Sequence, residues 1–265
     1  MAQNKPEEFD RLMLLSEDVD SQEPDSTWSQ LLQSLGGYGS WRENAELCRN
    51  LHNKLSHFSS KHVNTAEHME VVLYSLSRGY WLMEAAMEWE KPYAGKEPTS
   101  AQSVSVLRGL QLRLAMAYNA FELIAMALMQ PDRTLSPEII GSFVQKCQLR
   151  ASADPISPPN KNRAVLKQWL DGSAIARKKG EEGEALLEFL GLKRGDRTLF
   201  QSWVLAEIPV NNWDRRILLA KALRNMSAHG ALSASKVGEL GLRQAFEVLP
   251  ESLSEVVHAA LQQLL

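Results

Sequence analysis

Apolar residues recur every three or four positions along most of this chain. Leu47, Leu51, Leu55 and Phe58 step that way between Trp41 and about Ser60, the spacing that turns one helix face toward a core. The same period predicts a second helix from about Thr65 to Glu90, with Met69, Val72, Leu73, Leu76, Tyr80, Met83, Ala86 and Met87 on its apolar side. The turn formers of Lys91 to Ser100, K-P-Y-A-G-K-E-P-T-S, then break the pattern. A third helix is predicted from about Ala101 to Met129, ending before Pro131. Its segment A-Y-N-A-F-E-L-I-A-M-A-L is apolar nearly all round, which places it at the centre of the core. Ser136-Pro137 makes an N-cap and first-turn pair for a shorter helix ending near Arg150.

Residues 151–162 read as an irregular linker. Short helices are expected around 163–171, 181–191 and Leu199 to Ala206, the last before Pro209. Three more follow: Trp213 to about Ala228, Ser233 to Val248, and Pro250 to Leu264. No stretch alternates with period two, and no fixed-period repeat occurs. The expected fold class is all-α, a multi-helix bundle. Residues 1–40 read as an acidic, loosely ordered arm with one short helix around Trp28 to Leu35. Residues 41–150 form a long-helix part and 151–265 a basic linker with the last helices; 101–265 is expected to be one bundle.

Composition changes this picture in a few places. With 265 residues and 44% hydrophobic content, the chain can bury a sizeable core. A net charge of −3 gives no global attraction for nucleic acid. The charge is unevenly spread: residues 1–100 hold 9 Lys/Arg and 16 Asp/Glu, while 160–225 hold 13 and 8. Cys48 and Cys147, far apart, suggest a reduced, cytoplasmic protein. The opening M-A-Q-N-K-P-E-E does not read as a signal peptide. The apolar run Leu114 to Met129 contains Asn119 and Glu122, so it reads as too short and too polar to span a bilayer, and no membrane partner is expected.

Candidate chemistry gathers in W-D-R-R-I-L-L-A-K-A-L-R-N-M-S-A-H-G-A-L-S-A-S-K, Trp213 to Lys236. Arg224 falls about 20° from Trp213 and about 20° from Ile217 on the apolar stripe of its helix, where a guanidinium is costly unless paired. A carboxylate such as Glu122 could pair with it. Gly230 supplies a helix stop and Ser233 the next cap, so His229 sits at or just past the helix end. It could simply stabilise that C-terminus. On one continuous helix, Arg224 and His229 lie about 140° apart. Only if the helix gives out between them do both side chains turn into one cleft.

The string L-R-N-M-S-A-H-G-A-L-S-A-S-K-V resembles the signature of the HEPN superfamily. Arg224, the polar Asn225 and His229 match, with four residues between arginine and histidine. Gly230 and Leu232-Ser233 also look like bacterial members, and Y-N-A-F-E-L-I-A-M-A-L is similar to the long helix that often precedes the motif. The motif covers about 15 residues, and a looser helical resemblance covers 101–265. It implies a HEPN-like C-terminal part and a metal-independent endoribonuclease needing no cofactor. His229 would take or relay the ribose 2′-hydroxyl proton, Arg224 would hold the scissile phosphate, and Asn225 would orient the histidine or bind phosphate. Attack by the 2′-hydroxyl leaves a 2′,3′-cyclic phosphate. The resemblance further implies a homodimer with a shared site, and a toxin or phage-defence effector held by an antitoxin or other regulatory protein. The superfamily also contains catalytically inactive members, which implies the alternative of a nucleic-acid-binding or protein-interaction module.

Other features are weighed beside this. Arg177, Lys178, Lys179, Lys193, Arg194 and Arg197 read either as a solvated surface or as an RNA-tracking rim. His52, His57, His62 and His68, spaced by five and six, rotate round a helix and read as a solvated face rather than a metal site. Glu255-x-x-His258 has di-metal spacing but lacks the second pair such bundles need. Glu84 and Glu88 read as solvent-exposed carboxylates without a histidine partner. The Trp and Met residues read as core. No Gly-rich phosphate loop or zinc spacing occurs, so no metal is expected.

Overall fold

The computed structural model describes residues 27–34, 44–89, 100–149, 154–159, 199–200, 202–204, 206–230 and 232–265. Eight helices are defined among them. They are α1 (Thr27–Ser34), α2 (Ala45–Phe58), α3 (Ala66–Met87), α4 (Ser100–Met129), α5 (Pro137–Lys146), α6 (Trp213–Ala228), α7 (Ala234–Glu239) and α8 (Arg243–Gln262). No strand occurs among the described residues; the nearest thing is an isolated antiparallel bridge, Ile156 to Val210. The all-α bundle expected from periodicity is therefore observed.

The helix starts follow from local chemistry. Asn44, Thr65, Ser136 and Ser233 each accept a hydrogen bond from a first-turn N–H through the side chain, satisfying donors that a helix start leaves open. Pro137 then occupies the first turn of α5, where its missing N–H costs nothing.

The core is organised round α4, whose 30 residues give a length of about 45 Å. It packs on α2, α3, α5, α6, α7 and α8. Leu110, Leu114, Ala117, Tyr118, Phe121, Ile124 and Leu128 are buried on it. Over Ser103–Met129 it is long and apolar enough by composition to cross a membrane, longer than the apolar run read from sequence. Its burial on several sides gives that apolarity a role within the bundle. The tightest approach is to α3: a Cβ on Gly79 would lie 2.5 Å from Ile124 Cγ1 and 3.1 Å from the Ala120 carbonyl.

The C-terminal helices depart from expectation in one respect. The expected break before Pro250 is absent, and α8 runs through it. Proline deprives the Phe246 carbonyl of its usual donor. Phe246, Leu249, Leu253, Val256, Val257 and Leu261 are buried on either side of Pro250, so packing holds the helix where local propensity would end it. The break falls instead at Gly241, with φ of 71°. There the Gly241 and Leu242 N–H groups return to the carbonyls of Gly238 and Val237 at 3.2 and 2.9 Å, a left-handed glycine stop.

Candidate functional site around Arg224 and His229

Helix α6 ends by the same device. His229 is its C-cap, donating its backbone N–H to Asn225 at 3.0 Å. Gly230, with φ of 73°, donates to the Ser227 carbonyl at 3.1 Å. The stop predicted from Gly230 is in place, but it lies beyond His229. As expected, the helix ends at Ala228 with His229 just past it, but it is regular up to that point and no hydrogen bond joins the Arg224 and His229 side chains among the described residues. Their Cα–Cβ bonds leave the axis about 140° apart. His229 is exposed, whereas Arg224 is half-buried and Asn225 is buried.

The surroundings of Arg224 are set by α4. Its Nη2 donates to Asn119 Oδ1 at 2.7 Å, and its Nη1 to Asn225 Oδ1 at 2.9 Å. The guanidinium carbon lies 5.6 Å from the centre of the Tyr118 ring, at cation–π distance. No ion pair joins Arg224 to Glu122 or to any other carboxylate among the described residues. Two amide oxygens hold it, and neither cancels its charge. A guanidinium carries five N–H donors, and the hydrogen bonds to the described residues use two of them. Also from α4, Gln111 Nε2 donates to Ser227 Oγ at 3.0 Å and to the Leu232 carbonyl at 2.6 Å. It thereby clasps the turn that carries His229 from both sides.

Arg216 carries no motif and goes unnoticed in the sequence, although it stands three residues after Trp213 and four before Ala220 on the buried stripe. It is 2% exposed. Its Nη1 donates to Ser252 Oγ at 2.7 Å, its Nη2 donates to the Asp154 carbonyl, and its guanidinium carbon lies 5.4 Å from the Trp213 ring centre. Burial lowers its pKa, opposed by the nearby Glu255 and Asp154 carboxylates. Asn119 was also missed as a site residue, because nothing local links it to Arg224.

Two sequence expectations need correction. His62 does not lie on a solvated helix face: it sits in the connection between α2 and α3 and is 5% exposed, so helical rotation does not apply to it. Its Nε2 meets the Leu128 carbonyl at 2.8 Å and its Nδ1 meets His68 Nε2 at 3.0 Å. A carbonyl only accepts, so Nε2 carries the proton, and neutral His62 accepts from His68 at Nδ1. Burial lowers the pKa of both histidines, and the charges of neighbouring histidines push the same way. Glu84 is not a free surface carboxylate either. Its Oε1 lies 3.7 Å from Nε2 of His258, the other side chain being only 34% exposed, because α8 packs on α3. Glu88 is exposed, as read from sequence.

Glu255 and His258 line a cavity of about 830 Å³ together with Met87, Cys147, Glu251 and Ser254. Burial pushes the Cys147 thiol up to about 12, which keeps it an unreactive thiol. Arg224, Asn225 and His229 do not line this cavity. No group of three His, Cys, Asp or Glu side chains converges as a metal-ligand set among the described residues. Arg177, Lys178, Lys179, Lys193, Arg194 and Arg197 all lie outside the described residues.

Comparison with protein-family models, curated proteins and solved structures gave no match. The residues and their geometry therefore carry the functional argument.

Proposed function

We propose that this chain is a HEPN-like, metal-independent endoribonuclease whose working site is completed between two copies. The observation that carries the reading is the holding of Arg224 by neutral amides. A structural arginine at this depth is normally offset by a carboxylate. Arg224 instead meets two amide oxygens and a ring face, none of which cancels its charge, an arrangement suited to gripping a phosphate and its developing charge. Five residues on, the exposed imidazole of His229 supplies a group able to accept and return a proton. Because α6 is regular up to Ala228 and sets the two about 140° apart round its axis, the reading pairs Arg224 of one copy with His229 of another. The ribose 2′-hydroxyl then loses its proton to imidazole, attacks the adjacent phosphorus, and expels the 5′-oxygen to leave a 2′,3′-cyclic phosphate. The basic stretch around Arg177, Lys178, Lys179, Lys193, Arg194 and Arg197 would track the RNA backbone. An effector role in toxin or defence systems, under a regulatory protein, fits such an activity.

A second reading is favoured by the same separation of Arg224 and His229. A chain that never brings the pair together is an inactive, RNA-binding or protein-interaction module. An RNase assay in chelator on wild type, Arg224→Ala and His229→Ala separates the two. The nuclease reading expects a cyclic phosphate product from wild type only. Mixing the two variants should restore part of the activity, because a mixed dimer carries one intact shared site. Equal cleavage by all three proteins, or none by wild type with several RNAs, leaves the module reading standing.

A further inference from the structure

We infer that Asn119 is a positioning residue: its amide fixes the Arg224 guanidinium for an RNA phosphate while leaving the positive charge uncancelled. This rests on the ribonuclease reading above and names the part of the chain that prepares the site. Asn119 is half-buried on the central helix, 105 positions from Arg224, with Tyr118 beside it under the guanidinium. Of the other buried or half-buried arginines, Arg113 has Glu251 at 3.8 Å, whereas Arg216, like Arg224, is held by neutral acceptors, the Ser252 hydroxyl and the Asp154 carbonyl. Arg224 meets an amide oxygen in the position where an aspartate would make an equally good hydrogen bond. The two side chains have the same shape, and they differ in whether the cation remains free to attract a second anion. If the contact served only to hold α6 on α4, aspartate would serve as well or better.

The test is Asn119→Asp in the full chain, beside Asn119→Gln, which keeps a neutral acceptor. Three readouts are needed: the thermal unfolding midpoint, the cleavage rate on a single-stranded RNA, and the salt dependence of binding to a fluorescein-labelled RNA. For Asn119→Asp the midpoint should hold or rise while cleavage falls by about ten- to a hundredfold, the scale of losing one charge-stabilising donor. Its slope of log affinity against log salt should become shallower by about 0.7, one phosphate contact on a single strand. Asn119→Gln should keep most of the cleavage. The inference is overturned if Asn119→Asp cleaves and binds as wild type does, if it unfolds, or if Asn119→Gln loses as much as Asn119→Asp. In each of those cases wild-type cleavage leaves the nuclease reading intact. A wild type that neither binds nor cleaves removes both.

Discussion

Replacing Gly79 by alanine adds one methyl group at the tightest contact in the bundle. In an open helix interior this change is favourable by about 0.5–1 kcal/mol, because glycine gives up more backbone freedom on folding. At Gly79 the new carbon would lie 2.5 Å from Ile124 Cγ1, 2.9 Å from Ile124 Cδ1 and 3.1 Å from the Ala120 carbonyl oxygen. Ile124 and Ala120 are both fully buried. Ile124 therefore has no open side to rotate into, and the carbonyl belongs to the backbone of α4. Overpacking of this kind costs about 1–3 kcal/mol, which exceeds the propensity gain. Gly141 provides the control, since it lies within α5 and a Cβ there meets nothing within 4 Å. Urea denaturation should show Gly79→Ala destabilised by about 1–2 kcal/mol and Gly141→Ala stabilised by up to about 1. Their melting temperatures should then differ by about 4–8 °C. The effect should also reach the site, because Ala120 adjoins Asn119: a shift of α4 at Gly79 loosens the amide that holds Arg224. Gly79→Ala as stable as Gly141→Ala would refute the packing argument.

Two further outcomes are expected. Because the folded pKa of His62 and His68 lies below the ordinary histidine value, their contribution to stability is complete above pH of about 6.5 and is lost as pH falls through the lowered folded values. The urea midpoint should therefore fall from pH 7 toward 5, with a shallower fall in His62→Gln; parallel slopes would contradict this. Gly230→Ala should cost about 1 kcal/mol through its left-handed φ, since no neighbour crowds the site, and Gly230→Asn less. Equal stability of all three proteins would show that the turn can relax.

Local signals in the sequence were enough to find the long helices. The three- and four-residue steps of Leu47 to Phe58 and Met69 to Met87 mark faces that really are buried, and Thr65, Ser136 and Gly230 mark ends by hydrogen-bond chemistry acting over a few residues. What stayed hidden depends on partners distant in the chain. Asn119 looks like a polar interruption of a core helix until α6 brings Arg224 against it. His62 looks like one of a helical series, but it occupies a connection whose fold brings it to the Leu128 carbonyl. Pro250 looks like a terminator because local propensity says so, and apolar contacts on both sides outweigh it. The Arg224–Asn225–His229 pattern is plain in the sequence. The angle between its members also depends on the last turn of α6, which ends at Ala228.

The long chain separation of Asn119 and Arg224 also has a consequence in time. A ribosome adds about 5–20 residues each second, so roughly 5 to 20 seconds pass between the making of the amide and the arrival of the cation it grips. During that interval α3 and α4 can already pair, while the guanidinium's seat stands empty. A half-made chain, still tethered to the ribosome, therefore holds Asn119 without the arginine that later meets it.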